Sequence, residues 1–93
     1  MAARLAIGAI HVRPEVMEWI GQETLDRLLM RHRRGDWGLV DGRDARANTL
    51  AAYHQQGGLR SVYDVGGEIQ VWIITGDLGL DSLHTTVLIP SDE

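Results

Sequence analysis

"LRSVYDVGGEIQVWIIT", residues 59–75, is the stretch whose reading decides the fold. Two runs rich in β-branched and aromatic residues flank Gly66-Gly67, and two glycines supply the positive φ that a two-residue hairpin turn needs. That turn predicts Val65 opposite Glu68, Tyr63 opposite Gln70, Ser61 opposite Trp72 and Leu59 opposite Ile74. Tyr63 and Trp72 then share one face. Val62, Ile69, Val71 and Ile73 fill the other, with Arg60 and Asp64 near its ends.

Working outward, "HTTVLIP" (84–90) reads as a last strand ended by Pro90, separated from the hairpin by the loop "GDLGLDSL". On the N-terminal side, "RLAIGAIHV" (4–12) reads as a first strand. Pro14 opens a helix with apolar residues at Val16, Trp19, Ile20, Leu25, Leu28 and Leu29, spaced three and four apart. Gly21 predicts a bend within it, and Gly35 a left-handed stop. Asp41 is placed to cap a second helix running to Gly57-Gly58, with Ala47, Leu50, Ala51 and His54 as its inward stripe. The order strand, helix, helix, strand, strand, strand predicts a single α+β domain over residues 1–93. A mostly antiparallel four-stranded sheet would carry both helices on one face. The opposite face, bearing Tyr63 and Trp72, would be partly open, which suits a partner or a homodimer.

Composition excludes several chemistries. The chain has no cysteine, so thiolate nucleophiles, disulfides and sulfur-ligated zinc are ruled out. All nine basic residues are Arg; without lysine there is no P-loop and no Schiff base. His11, His32, His54 and His84 show no metal-binding spacing on a helix, and no serine lies in a nucleophile elbow. No metal or other cofactor is expected. His32 and Asp36 are the one candidate acid–base or metal pair. The N-terminal apolar stretch is too short to span a bilayer and lacks a cleavage pattern, so a cytoplasmic protein is expected.

The net charge of −4 is uneven. Residues 59–93 set Arg60 against Asp64, Glu68, Asp77, Asp81, Asp92 and Glu93. Such a surface disfavours direct nucleic-acid binding and favours a basic partner. "RHRRGDWG" (31–38) reads as a structural corner: arginines complement a helix end, Gly35 and Gly38 reverse the chain, and Trp37 plugs into the core. Asp36 would bond backbone N–H groups in that turn.

The chain resembles a family of small bacterial proteins carried on plasmids and prophages. The likeness rests on His32, Gly35, Asp36, Trp37 and Gly38; on Asn48, Gly58, Ser61 and Tyr63; and on Trp72-Ile73-Ile74-Thr75 with Thr85, Thr86, Leu88 and Pro90. It departs after Thr75, where the family's Glu-x-Asp-Arg-Ser segment is replaced by "GDLGLDSLH", leaving Asp77 as the counterpart of one acid. The resemblance implies a mobile-element context rich in anti-CRISPR and anti-restriction inhibitors. The expected function is non-enzymatic binding and inhibition of a host protein or ribonucleoprotein with a basic nucleic-acid groove, with no direct contact to nucleic acid or membrane. Asp64, Glu68, Asp77, Asp81, Tyr63 and Trp72 are the candidate partner-binding residues. The alternatives are a toxin–antitoxin or plasmid-maintenance component, and a metal-dependent hydrolase using His32 and Asp36.

Overall fold

The computed structural model describes residues 5–90; Arg4 of the predicted first strand, and Asp92 and Glu93 of the acidic third, lie outside them. The elements are β1 (Ala9–Val12), α1 (Pro14–Arg33), α2 (Gly42–His54), β2 (Leu59–Asp64), β3 (Gln70–Gly76) and β4 (His84–Leu88). They form an α+β fold around one four-stranded sheet of order β1-β4-β3-β2. The sheet is mixed, because β1 runs parallel to β4 while the β2-β3 and β3-β4 pairs are antiparallel. β1 is shorter than its apolar run suggests, since Gly8 turns to φ 68° just before it.

α1 bends at Gly21, whose φ of 78° and ψ of 172° lie outside the helical region. Its end is a Schellman stop: Gly35 N–H donates to the His32 carbonyl (3.2 Å) and Asp36 N–H to the Arg31 carbonyl (2.9 Å), with Gly35 at φ 84°. α2 begins as expected, the Asp41 carboxylate accepting from Asp44 N–H at 2.8 Å. It ends at His54, with Gln55 in the left-handed region, and its inward side shares only Ala51 with the predicted stripe. Ala45, Ala51 and Ala52 face the core around buried Asn48, whereas Ala47, Leu50 and His54 are exposed.

The hairpin register differs from expectation by one residue. Val65 N–H donates to the Ile69 carbonyl (3.0 Å), closing a three-residue loop in which Glu68 joins the two glycines at positive φ. Tyr63 therefore pairs with Val71, Ser61 with Ile73 and Val62 with Trp72. Because side chains alternate, this slip moves Tyr63 to the helix side and leaves Trp72 on the other. Tyr63 is 1% exposed in a core with Val16, Leu25, Leu28, Val71, Ile73 and Val87. Burial of each such large side chain contributes about 1.5–3 kcal/mol. A second cluster, Leu5, Ile7, Trp37, Leu59 and Leu78, fills the space beneath α2 and the corner.

Candidate functional site

The resemblance motif converges on one buried structure. His32 ends α1 with no exposed surface, its Nδ1 2.6 Å from Ser61 Oγ and its Nε2 2.8 Å from Thr75 Oγ1. Thr75 Oγ1 lies 2.7 Å from Thr85 Oγ1, and the Thr85 hydroxyl donates to the Ile7 carbonyl at 2.8 Å. That carbonyl only accepts, so it sets the direction of the whole chain. Thr85 has one proton and gives it to Ile7; Thr75 must donate to Thr85; His32 Nε2–H must donate to Thr75; and Ser61 donates to Nδ1. The chain thus puts a proton on Nε2 of His32, and burial keeps the ring neutral, so that Nδ1 accepts from Ser61. Burial pushes its pKa down to about 4. Ser61, Thr75 and Thr85 are likewise fully buried, so this serine–histidine pair presents no surface to solvent.

The corner binds that network to the surface. Asp36 does not reach His32; its carboxylate takes two bonds from Arg31 (2.7 and 3.2 Å) and one from Gly38 N–H (3.3 Å). The Arg31 hydrogen bonds hold the Asp36 carboxyl below the usual range. Tyr63 donates its hydroxyl to the Asp36 carbonyl at 2.6 Å, and Arg31 lies over the Tyr63 ring at 4.5 Å. Desolvation pushes the Tyr63 phenol up to about 12. Trp37 meets His32 edge-on at 5.9 Å and donates to Thr49 Oγ1 at 3.3 Å. Gly38 must be glycine: at φ 75°, a Cβ would run into the Val62 carbonyl oxygen and the Tyr63 ring. No group of three His, Asp or Glu among the described residues could hold a metal.

The same segments seal one sheet edge. Asn48 donates to the Arg60 carbonyl (2.7 Å) and accepts from Arg60 N–H (3.2 Å). Val62 N–H donates to the Trp37 carbonyl (3.0 Å), and Leu39 N–H donates to the Val62 carbonyl (2.7 Å). The outward backbone of β2 at Arg60 and Val62 is thereby paired.

What faces solvent is different in kind. The sheet side opposite α1 carries the half-buried Arg60, Trp72, Ile74, Thr86 and Leu88, together with Val62, which is buried. The Arg60 guanidinium stacks over Trp72 at 4.5 Å, and Trp72 Nε1 donates to Gln70 Oε1 at 3.3 Å. Beside them a groove of about 500 Å³ opens between α2 and the sheet, lined by Asp44, Ala47, Asn48, Arg60, Ile74 and Gly76. The four candidate acids divide into two pairs. Asp64 and Glu68 are exposed at the hairpin end of β3; past its other end Asp81 is exposed and Asp77 is half-buried, 3.9 Å from His84. A seven-residue strand spans about 20 Å, so the pairs flank the Trp72 face rather than form one acidic patch.

Of the predicted partner-binding residues, the four acids and Trp72 reach the surface, and Tyr63 does not. The reading of Tyr63 as part of an open face is corrected by its burial and its bond to Asp36. Sequence reasoning missed Ser61 and Thr75 as partners of His32, Thr85 as the next link in the chain, and Arg60 as the brace on Trp72. A signal for the first was present: Ser61, Thr75 and Thr85 place hydroxyls within strands, and a hydroxyl buried there needs a polar partner. No known protein family, curated protein or solved structure matches this chain. No helix among the described residues is long and apolar enough to cross a membrane.

Proposed function

We propose that this protein works by non-enzymatic binding, engaging and inhibiting a bacterial defence complex of the anti-CRISPR or anti-restriction type. One observation carries the reading. His32, Ser61, Thr75 and Thr85 are sealed in the core and bonded in one chain, and the exposed Asp36 is tied to Arg31 and Gly38 rather than to His32, while an aromatic braced by arginine occupies the sheet face opposite α1. Trp and Arg are the residue types that dominate binding energy at protein interfaces. The choice of a defence complex as target follows from the resemblance to mobile-element proteins. The flanking acids supply charge complementary to a groove built for nucleic acid. The contact is with that protein or ribonucleoprotein, and no cofactor takes part.

Infection assays in hosts carrying an active restriction or CRISPR complex test this directly. Expression of the chain should restore phage plating, the Trp72→Ala variant should not, and the purified complex should co-elute with the wild-type protein only. Failure to protect phage in any such host, or equal protection by Trp72→Ala, would defeat the proposal.

A further inference from the structure

The two edges of the sheet are treated in opposite ways. β2 is sealed by Asn48, Trp37 and Leu39, whereas β1 has a single neighbour, β4. The Arg13 N–H to Val87 carbonyl bond (3.0 Å) sets the alternation of the parallel ladder, and it turns the backbone of Ile10 and Val12 outward. Among the described residues, nothing pairs with the outward groups of Ile10. Ile10 is 44% exposed. It lies at a groove of about 190 Å³ between β1 and α1, lined by Ile7, Ile10, Leu29 and Met30, with Asp26 and Arg33 of opposite charge beyond them.

From this we infer that the β1 edge is the interface of a homodimer, in which β1 strands of two copies pair antiparallel about a twofold axis and α1 packs on its counterpart. The placement of the charges selects a second copy as occupant. A twofold axis between Leu29 and Met30 sets position 26 of one helix against position 33 of the other. Asp26 then faces the partner's Arg33 and Arg33 the partner's Asp26, so the surface is complementary to itself. The paired edges would join two sheets into one of eight strands and cover Ile10 on both copies.

Sedimentation equilibrium from micromolar to millimolar chain tests the inference, starting from a 10.3 kDa monomer. Wild type should reach twice that mass. Asp26→Arg alone places like charges at both contacts, as does Arg33→Asp alone; each should weaken self-association at least tenfold. An equimolar mixture of the two variants restores both opposite-charge contacts and should form heterodimers as tight as wild type. Independently of any substitution, protection of the Ile10 amide from hydrogen exchange should rise with protein concentration. A wild type monomeric throughout, a dimer indifferent to both reversals, a mixture that stays monomeric, or an Ile10 amide whose exchange ignores concentration would each overturn it.

Discussion

His32 Nδ1 and Ser61 Oγ lie 2.6 Å apart with no solvent reaching either, at the far end of a hydroxyl chain anchored on the Ile7 carbonyl. That geometry places a proton on Nε2, burial keeps the ring neutral, and a pH dependence follows. The folded pKa of about 4 lies below the unfolded value of 6.5, so the unfolded chain binds the extra proton between those limits. The contribution is complete above pH 6.5 and is lost as pH falls toward 4, at up to about 1.4 kcal/mol per pH unit and roughly 3 kcal/mol in total. Urea denaturation of wild type and His32→Gln across pH 7.5 to 4 should show the variant's curve flatter in that window. Parallel curves would mean that His32 titrates normally in the fold.

The direction of the chain makes its members unequal. Thr85→Val removes the acceptor of Thr75 and the donor to Ile7, leaving a buried hydroxyl and a buried carbonyl unpaired; the expected loss is about 1–3 kcal/mol. Thr85→Ser keeps both bonds and should lose under about 1.5 kcal/mol, mainly for the missing methyl group. Chemical denaturation that ranks serine below valine would reverse the assigned role of the hydroxyl.

Much of this fold is legible in the sequence because its signals are local. Pro14 and Gly35 bound α1, Asp41 caps α2, and the β-rich runs either side of Gly66-Gly67 mark a hairpin. The register is not legible, since nothing local says that Glu68, which has a Cβ, joins the glycines at φ 63° and adds a third loop residue. That residue alone decides which face receives Tyr63. The buried network is hidden for another reason: His32 finds its partners 29 and 43 positions away, and Thr85 bonds Ile7 across 78. The corner could be read as a corner, but not as the clasp on the β2 edge, because that depends on where α2 delivers Asn48.

Asn48 makes the β2 edge a place where one side chain replaces a strand. Asn48→Leu keeps the bulk but leaves Arg60 N–H and carbonyl unpaired, with an expected loss of about 2–3 kcal/mol. An exposed edge also templates association, so light scattering should rise with concentration in the variant. Unchanged stability and scattering would show that water serves those groups equally well.

Two glycines a few residues apart should respond oppositely to alanine. Gly38→Ala sets a Cβ against the Val62 carbonyl at a φ of 75° and should cost about 2 kcal/mol or more. Gly42 opens α2 with free space around it, so Gly42→Ala should be neutral or stabilising by up to about 1 kcal/mol. Thermal melts that move together would remove the steric account of the corner.

Trp72 and the two acid pairs should contribute to binding in different ways. An interface of standard size covers about 800 Å² per partner, roughly 30 Å across, enough to hold Trp72 at its centre and the acids about 20 Å apart near its rim. Central aromatics set dissociation, whereas rim charges set encounter. Trp72→Ala should therefore raise the off-rate from the target complex by about 30-fold or more, and should also lower stability by about 1–3 kcal/mol because most of the indole is covered. Reversal of Asp64 with Glu68, or of Asp77 with Asp81, to lysine should slow association several-fold in low salt. At high salt that difference should shrink as screening removes it. Tyr63→Phe supplies the contrast: it loses the hydroxyl bond to the Asp36 carbonyl and so lowers stability by about 1 kcal/mol, with both rate constants unchanged. Surface plasmon resonance at two ionic strengths separates these outcomes. Acid reversals that alter only the off-rate would place the carboxylates in the desolvated centre instead, and displace Trp72 from it.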